Sequence, residues 1–137
     1  MIVVIDTNVL ISGLVSQGPP SQVINLWITN KIIVCVSSEI VEEYLTVVLR
    51  PKFRPLGTAQ ERYDIISKLI ELDNTKMVCP SVKLNAVQED TDDNIFLECA
   101  LQSNANVIIT GDHHLLGING FKGIEILQPQ YFLKHLF

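Results

Sequence analysis

Along the chain, short and wholly apolar runs alternate with longer stretches of helical periodicity. Ile2 to Ile5 is an unbroken β-branched run, which predicts a strand buried on both faces, as in a parallel sheet. Asp6 follows and caps the segment beyond it. From Ser21 to Asn30 the apolar residues Val23, Ile24, Trp27 and Ile28 recur at helical spacing, and Ile32 to Val36 is a second all-apolar strand. Ser37 or Ser38 opens the next helix, since serine is a good N-cap; its periodicity runs from Glu39 to Leu49 and Pro51 stops it.

The stretch from Arg50 to Gly57 holds two prolines, a glycine and three basic residues, and predicts an exposed loop. An amphipathic helix follows over Thr58 to Leu72, a short strand over Lys76 to Cys79, and an irregular segment over Pro80 to Glu89. Thr91 to Ser103 predicts a helix with aspartates in or before its first turn, where the helix dipole favours negative charge. Val107 to Thr110 is a buried strand, Asp112 to Leu116 a short helix, Ile124 to Leu127 a last strand and Pro129 to Leu136 a terminal helix. The alternation predicts a single domain over residues 1–137, an α/β fold with a mostly parallel sheet and helices on both faces. Ligands in such folds gather beyond the carboxyl ends of the strands. Asp6 ends the first strand and Asp112 lies just past Thr110 at the end of another, so both point to one rim.

Composition supports this picture: 47% of the 137 residues are hydrophobic and 18% charged, enough for a real core and too apolar for a disordered chain. The apolar stretch Met1 to Val15 is interrupted by Asp6, Asn8 and Ser12, so neither a signal peptide nor a membrane span is expected, and the chain is expected in the cytoplasm. The cysteines Cys35, Cys79 and Cys99 have no Cys-x-x-Cys spacing and read as reduced core residues. A net charge of −5 and a pI near 5.0 argue against binding nucleic acid by bulk attraction. Basic residues nevertheless gather at Arg50, Lys52, Arg54, Arg62 and Lys68, where a local patch could act.

Each acidic residue has a plain structural explanation when taken alone. Asp6, Asp93 and Asp112 stand where helix caps stand, and Glu43 is on a helix where glutamate is usually solvated. Periodicity does not decide between Glu42 and Glu43, which both border the apolar stripe of Ile40, Val41, Tyr44 and Val48. Their order changes the reading. Asp6-Thr7-Asn8-Val9-Leu10 after the first strand, Glu43-Tyr44 in the helix after the second, Asp90-x-x-Asp93-Asn94 before an apolar helix and Thr110-Gly111-Asp112-x-x-Leu115-Leu116 after a strand together resemble the PIN-domain nucleases. Arg50-Pro51-Lys52-Phe53 is similar to a segment of their bacterial and archaeal toxin-like, VapC-type subgroup.

The resemblance implies a three-layer α/β/α sandwich in which Asp6, Glu43, Asp93 and Asp112 are catalytic and bind Mg²⁺ or Mn²⁺, with Asp90 a further candidate ligand and Asn8 and Thr110 supporting the carboxylates. It implies an endoribonuclease, the toxin of a toxin–antitoxin pair, with an RNA substrate contacted by Arg50, Lys52 and Arg54 and a protein antitoxin as partner. Divalent ions suit this chemistry because they activate water and offset the charge that builds on the phosphate oxygens. His113 and His114 are neighbours at a helix start and diverge, and hard ions prefer oxygen. His135 is read as a favourable partner for a helix end. A mean hydropathy of +0.30 in so small a chain predicts a homo-oligomer or a bound partner, and no membrane. The alternatives are a catalytically degenerate RNA- or protein-binding module and a haloacid-dehalogenase-like phosphatase, whose second aspartate is Asn8 here.

Overall fold

In the computed structural model, which describes residues 1–84 and 94–136, the first apolar run is strand β1 (Ile2–Ile5) and the chain turns directly into helix α1 (Thr7–Val15). Gly13 lets α1 lie close to helix α2 (Pro19–Ile28): a Cβ there would stand 2.6 Å from Ile24 Cγ1 and 2.8 Å from the Pro20 carbonyl oxygen. Next come β2 (Ile33–Val36) and α3 (Ser38–Val48). Ser37, not Ser38, is the cap of α3, its hydroxyl accepting from the Ile40 amide at 3.3 Å.

Arg50 to Gly57 is not an irregular loop. Pro51–Leu56 winds as a 3₁₀ helix, and helix α4 (Ala59–Ile70) starts from a capping box between Thr58 and Glu61. Strand β3 (Thr75–Met77) is followed by the extended segment to Leu84. Helix α5 (Asn94–Ser103), strand β4 (Val107–Ile109), the single turn α6 (His113–Leu116), strand β5 (Glu125–Leu127) and helix α7 (Pro129–His135) complete the described chain. Residues Asp90, Asp92 and Asp93 lie outside the described residues.

All five strands pair in parallel, in the order β3-β2-β1-β4-β5. Helices flank the sheet, as the α/β/α reading requires. Val3, Val4, Ile5, Val34, Val36, Ile108 and Ile109 are buried, and Trp27, Tyr44, Phe96 and Phe132 fill the space between sheet and helices. The strand order carries the functional information. From β1 the chain moves outward to β2 and β3, then returns to lay β4 on the other side of β1. Between β1 and β4 lies the topological switch point, where a crevice opens at the carboxyl ends of the strands. No helix among the described residues is long and apolar enough to cross a membrane.

Candidate active site

Asp6 occupies the N-cap position of α1, and its carbonyl accepts the Leu10 amide at 3.1 Å, yet its side chain makes no cap hydrogen bond. Its carboxylate instead accepts from the Thr110 hydroxyl at 2.6 Å, across the switch point. Both residues are buried, Asp6 at 4% exposure and Thr110 at 0%. Thr110 in turn accepts the Asp112 amide at 3.0 Å, so one hydroxyl links the ends of β1 and β4. Asp112 behaves differently. It is half-buried and caps α6 as a cap should, accepting the His114 amide at 2.7 Å.

Glu43 reaches the same rim from α3. The buried Tyr44 next to it donates its hydroxyl to the Ile5 carbonyl at the end of β1, pinning this turn of α3 against the strand. Glu43 then accepts a hydrogen bond from the Thr7 hydroxyl in the first turn of α1. Glu42 is exposed, and Glu43 is the one of the two that meets α1. Thr7 and Tyr44 are the supporting residues that sequence reasoning passed over. The signal for Thr7 was a hydroxyl directly after the aspartate, inside the first turn of an apolar helix. Thr110 donates to Asp6, whereas Asn8 is exposed and no side-chain hydrogen bond joins it to the described carboxylates.

Burial pushes the Asp6 carboxyl from 3.8 up to about 6; the Thr110 hydroxyl and the Thr7 amide hold it down, while the nearby Glu43 and Asp112 charges push it up. Asp6 therefore feels the charge of both other described carboxylates. Oxygen donors of this kind suit a hard divalent ion, and a cation beside Asp6 would offset the charge that burial disfavours. Among the described residues, however, no group of three acidic, histidine or cysteine side chains stands close enough to hold a metal ion.

Beside Glu43 opens a cleft of about 340 Å³, lined by Glu39, Glu42, Glu43, Arg50 and Ile95 among others. Arg50 thus belongs to the carboxylate side of the molecule. Lys52 and Arg54 are exposed on the 3₁₀ helix, with the Lys52 ammonium 5.1 Å from the Phe53 ring centre. Arg62 leaves the basic patch. At 5% exposure it donates to the carbonyls of Gly57, Thr58, Val48 and Arg50 at 2.8–3.3 Å, which ties the 3₁₀ helix to α4. Cys79 is exposed rather than a core residue, while Cys35 and Cys99 are buried, and all three are free thiols. The rings of His113 and His114 are tilted at 44° with centres 4.2 Å apart, and His114 Nδ1 lies 3.6 Å from Asp112 Oδ1. His135 stands in the last turn of α7, stacked on Tyr131.

The family model of the PIN domain matches residues 2–114. An uncharacterized protein of Methanocaldococcus jannaschii is 36% identical over 118 residues, covering 85% of this chain and 74% of that protein. The crystal structure of VapBC2 from Rickettsia felis, bound to a DNA fragment from its promoter, aligns with a TM-score of 0.60 and 16% identity, covering 92% of this chain and 97% of that one. At that identity the likeness concerns the fold.

Proposed function

Because the chain belongs to the PIN-domain family, we propose that it is a Mg²⁺- or Mn²⁺-dependent endoribonuclease and the toxin of a toxin–antitoxin pair, acting in the cytoplasm. The observation that carries this reading is Asp6. A carboxylate at an N-cap that makes no cap hydrogen bond, is buried, and takes its hydrogen bond from a second strand end is arranged for something other than capping. When bound, a divalent ion would activate water and offset charge on the phosphate oxygens. Asp6 and Asp112 would bind the ion directly. Thr110 orients Asp6, and Thr7 orients Glu43 toward the ion or the attacking water. Asp93 immediately precedes Asn94, the buried first residue of α5, and Ile95 lines the cleft beside Glu43; this adjacency supports Asp93 as the completing carboxylate, with Asp90 next in order. Arg50, Lys52 and Arg54 would hold phosphates of the RNA strand, and a protein antitoxin or a second copy would cover part of the apolar surface.

The binding-module alternative draws on one observation, the lack of a three-ligand grouping among the described residues. Incubation with labelled single-stranded RNA in Mn²⁺, Mg²⁺ or EDTA, beside an Asp6→Asn control, separates the two. Cleavage is expected with either ion and not with EDTA or the variant. Binding without cleavage in any of these conditions would favour the module.

A further inference from the structure

Three glutamates face the cleft beside α3, and two of them are held by different partners. Glu43 is held by Thr7. Glu39, one helical turn earlier and on the same face, is held by Lys83, whose Nζ stands 3.4 Å from Glu39 Oε2. Ser38 also donates to Glu39, at 2.8 Å. Lys83, whose side chain is largely exposed, has a second carboxylate partner. Its Nζ is 3.6 Å from Glu98 Oε1 on α5, and the next residue, Leu84, donates its amide to Glu98 Oε2 at 2.8 Å. Glu98 is buried, and its Oε1 has no hydrogen bond, so the Lys83 cation is what compensates it. Burying a charge without such a partner is strongly unfavourable. Lys83 thus bridges the buried Glu98 on α5 and Glu39 at the edge of the cleft.

Without Lys83, Glu39 Oε2 would lose its cation while Oε1 kept the Ser38 hydroxyl, leaving one carboxylate oxygen free to meet an ion about 6 Å along the helix surface from Glu43, the usual spacing of residues one turn apart. A hard cation does not distinguish one carboxylate from another except by position and rigidity. We propose that Lys83 is a positioning residue that keeps Glu39 out of the divalent-ion site, so that the ion is drawn to the Asp6 side of the cleft and not shared with its outer edge. This rests on the proposed reading that Asp6 and Asp112, with Glu43 and Asp93, hold a divalent ion.

The test is Mn²⁺ titration of the full chain, read by the rise in melting temperature and in parallel by RNA cleavage at saturating RNA. Lys83→Ala is expected to bind Mn²⁺ more tightly, by about tenfold, because a carboxylate is added, while its cleavage rate at saturation falls. Lys83→Arg, which keeps the charge, should restore both. In Lys83→Ala, adding Glu39→Gln should return the Mn²⁺ midpoint to that of wild type, and Glu39→Gln alone should leave it there. A merely structural Lys83 gives another pattern: a lower melting temperature with an unchanged Mn²⁺ midpoint and no rescue by Glu39→Gln, and that pattern overturns the proposal. A wild-type protein that does not respond to Mn²⁺ at all overturns the underlying site reading and this inference with it, so the two failures are told apart.

Discussion

The ends of β1 and β4 look alike in sequence and differ in structure. Each places an aspartate at the N-cap of the following helix, Asp6 before α1 and Asp112 before α6. Asp112 uses one carboxylate oxygen to accept the His114 amide, the ordinary duty of a cap. Asp6 makes no cap bond, is buried, and accepts from Thr110 on the neighbouring strand. Position alone thus does not tell how a carboxylate at a helix start is used. The partner of the side chain does, and that partner comes from a different part of the chain.

The largest expected effect separates the two ends by activity. Asp6→Asn keeps the volume and can still accept from Thr110, yet cleavage should fall by about 100-fold or more if Asp6 is a ligand. Thr110→Val, which removes the link between the two ends, should cost about tenfold, as for other residues that orient a ligand. Steady-state cleavage rates in Mn²⁺ decide both. Wild-type rates in Asp6→Asn would reduce Asp6 to a helix-end residue.

Stability against pH sharpens the contrast without any metal. The Asp6 carboxyl titrates near 6 when folded and at about 3.8 ordinarily. The folded protein thus holds this proton more tightly, so the contribution of Asp6 to stability is greatest below pH 4. It is lost as pH rises to about 6. The span corresponds to about 3 kcal/mol. Urea unfolding in EDTA between pH 4 and 7 should show wild type losing stability relative to Asp6→Asn by an amount of this order. Parallel pH profiles of the two proteins would refute it.

The capping contrast predicts a smaller effect. At position 112, Asn should replace Asp with little change in stability, because the two cap about equally, while Asp112→Ala should cost about 1 kcal/mol. At position 6 no such difference between Asn and Ala can come from capping, since no cap bond exists to lose. Melting temperatures of the four variants, in EDTA, check this. Smaller still is the share of the 3₁₀ helix: reversing the charges of Arg50, Lys52 and Arg54 should weaken RNA binding and flatten its salt dependence, by about one unit of slope for each phosphate no longer neutralised. Binding that keeps its slope across a salt series would leave these residues as solvated surface.

Much of the architecture was legible because it is written in local patterns. The β-branched runs at Ile2 to Ile5 and Val107 to Ile109 can be buried on both faces only in a covered parallel sheet, and the strands stand within a residue or two of the positions their apolar runs predict. Two departures share one cause. The stretch Arg50 to Gly57 reads as a loop because proline, glycine and charge dominate it, but it winds into a 3₁₀ helix whose two ends the buried Arg62 ties to α4 through the Arg50 and Gly57 carbonyls. Cys79 reads as core from its apolar neighbours and is exposed because it lies beyond β3, an edge strand. Burial depends on what packs from elsewhere, and a local window does not contain that.

The sequence by itself determined the strands, most helices, the aspartates at strand ends and the family resemblance, since each depends on residues within one or two turns of each other. Tertiary structure decided the rest. It placed Glu43, and not Glu42, against Thr7, next to the point where the Tyr44 hydroxyl reaches the Ile5 carbonyl. It removed Arg62 from the basic patch, and it gave Lys83 to Glu39 and Glu98. Above all it laid β4 beside β1, so that Thr110 meets Asp6 across 104 positions of sequence. A carboxylate's role follows from the dielectric and the donors around it, and those are supplied by chain segments that only folding brings together.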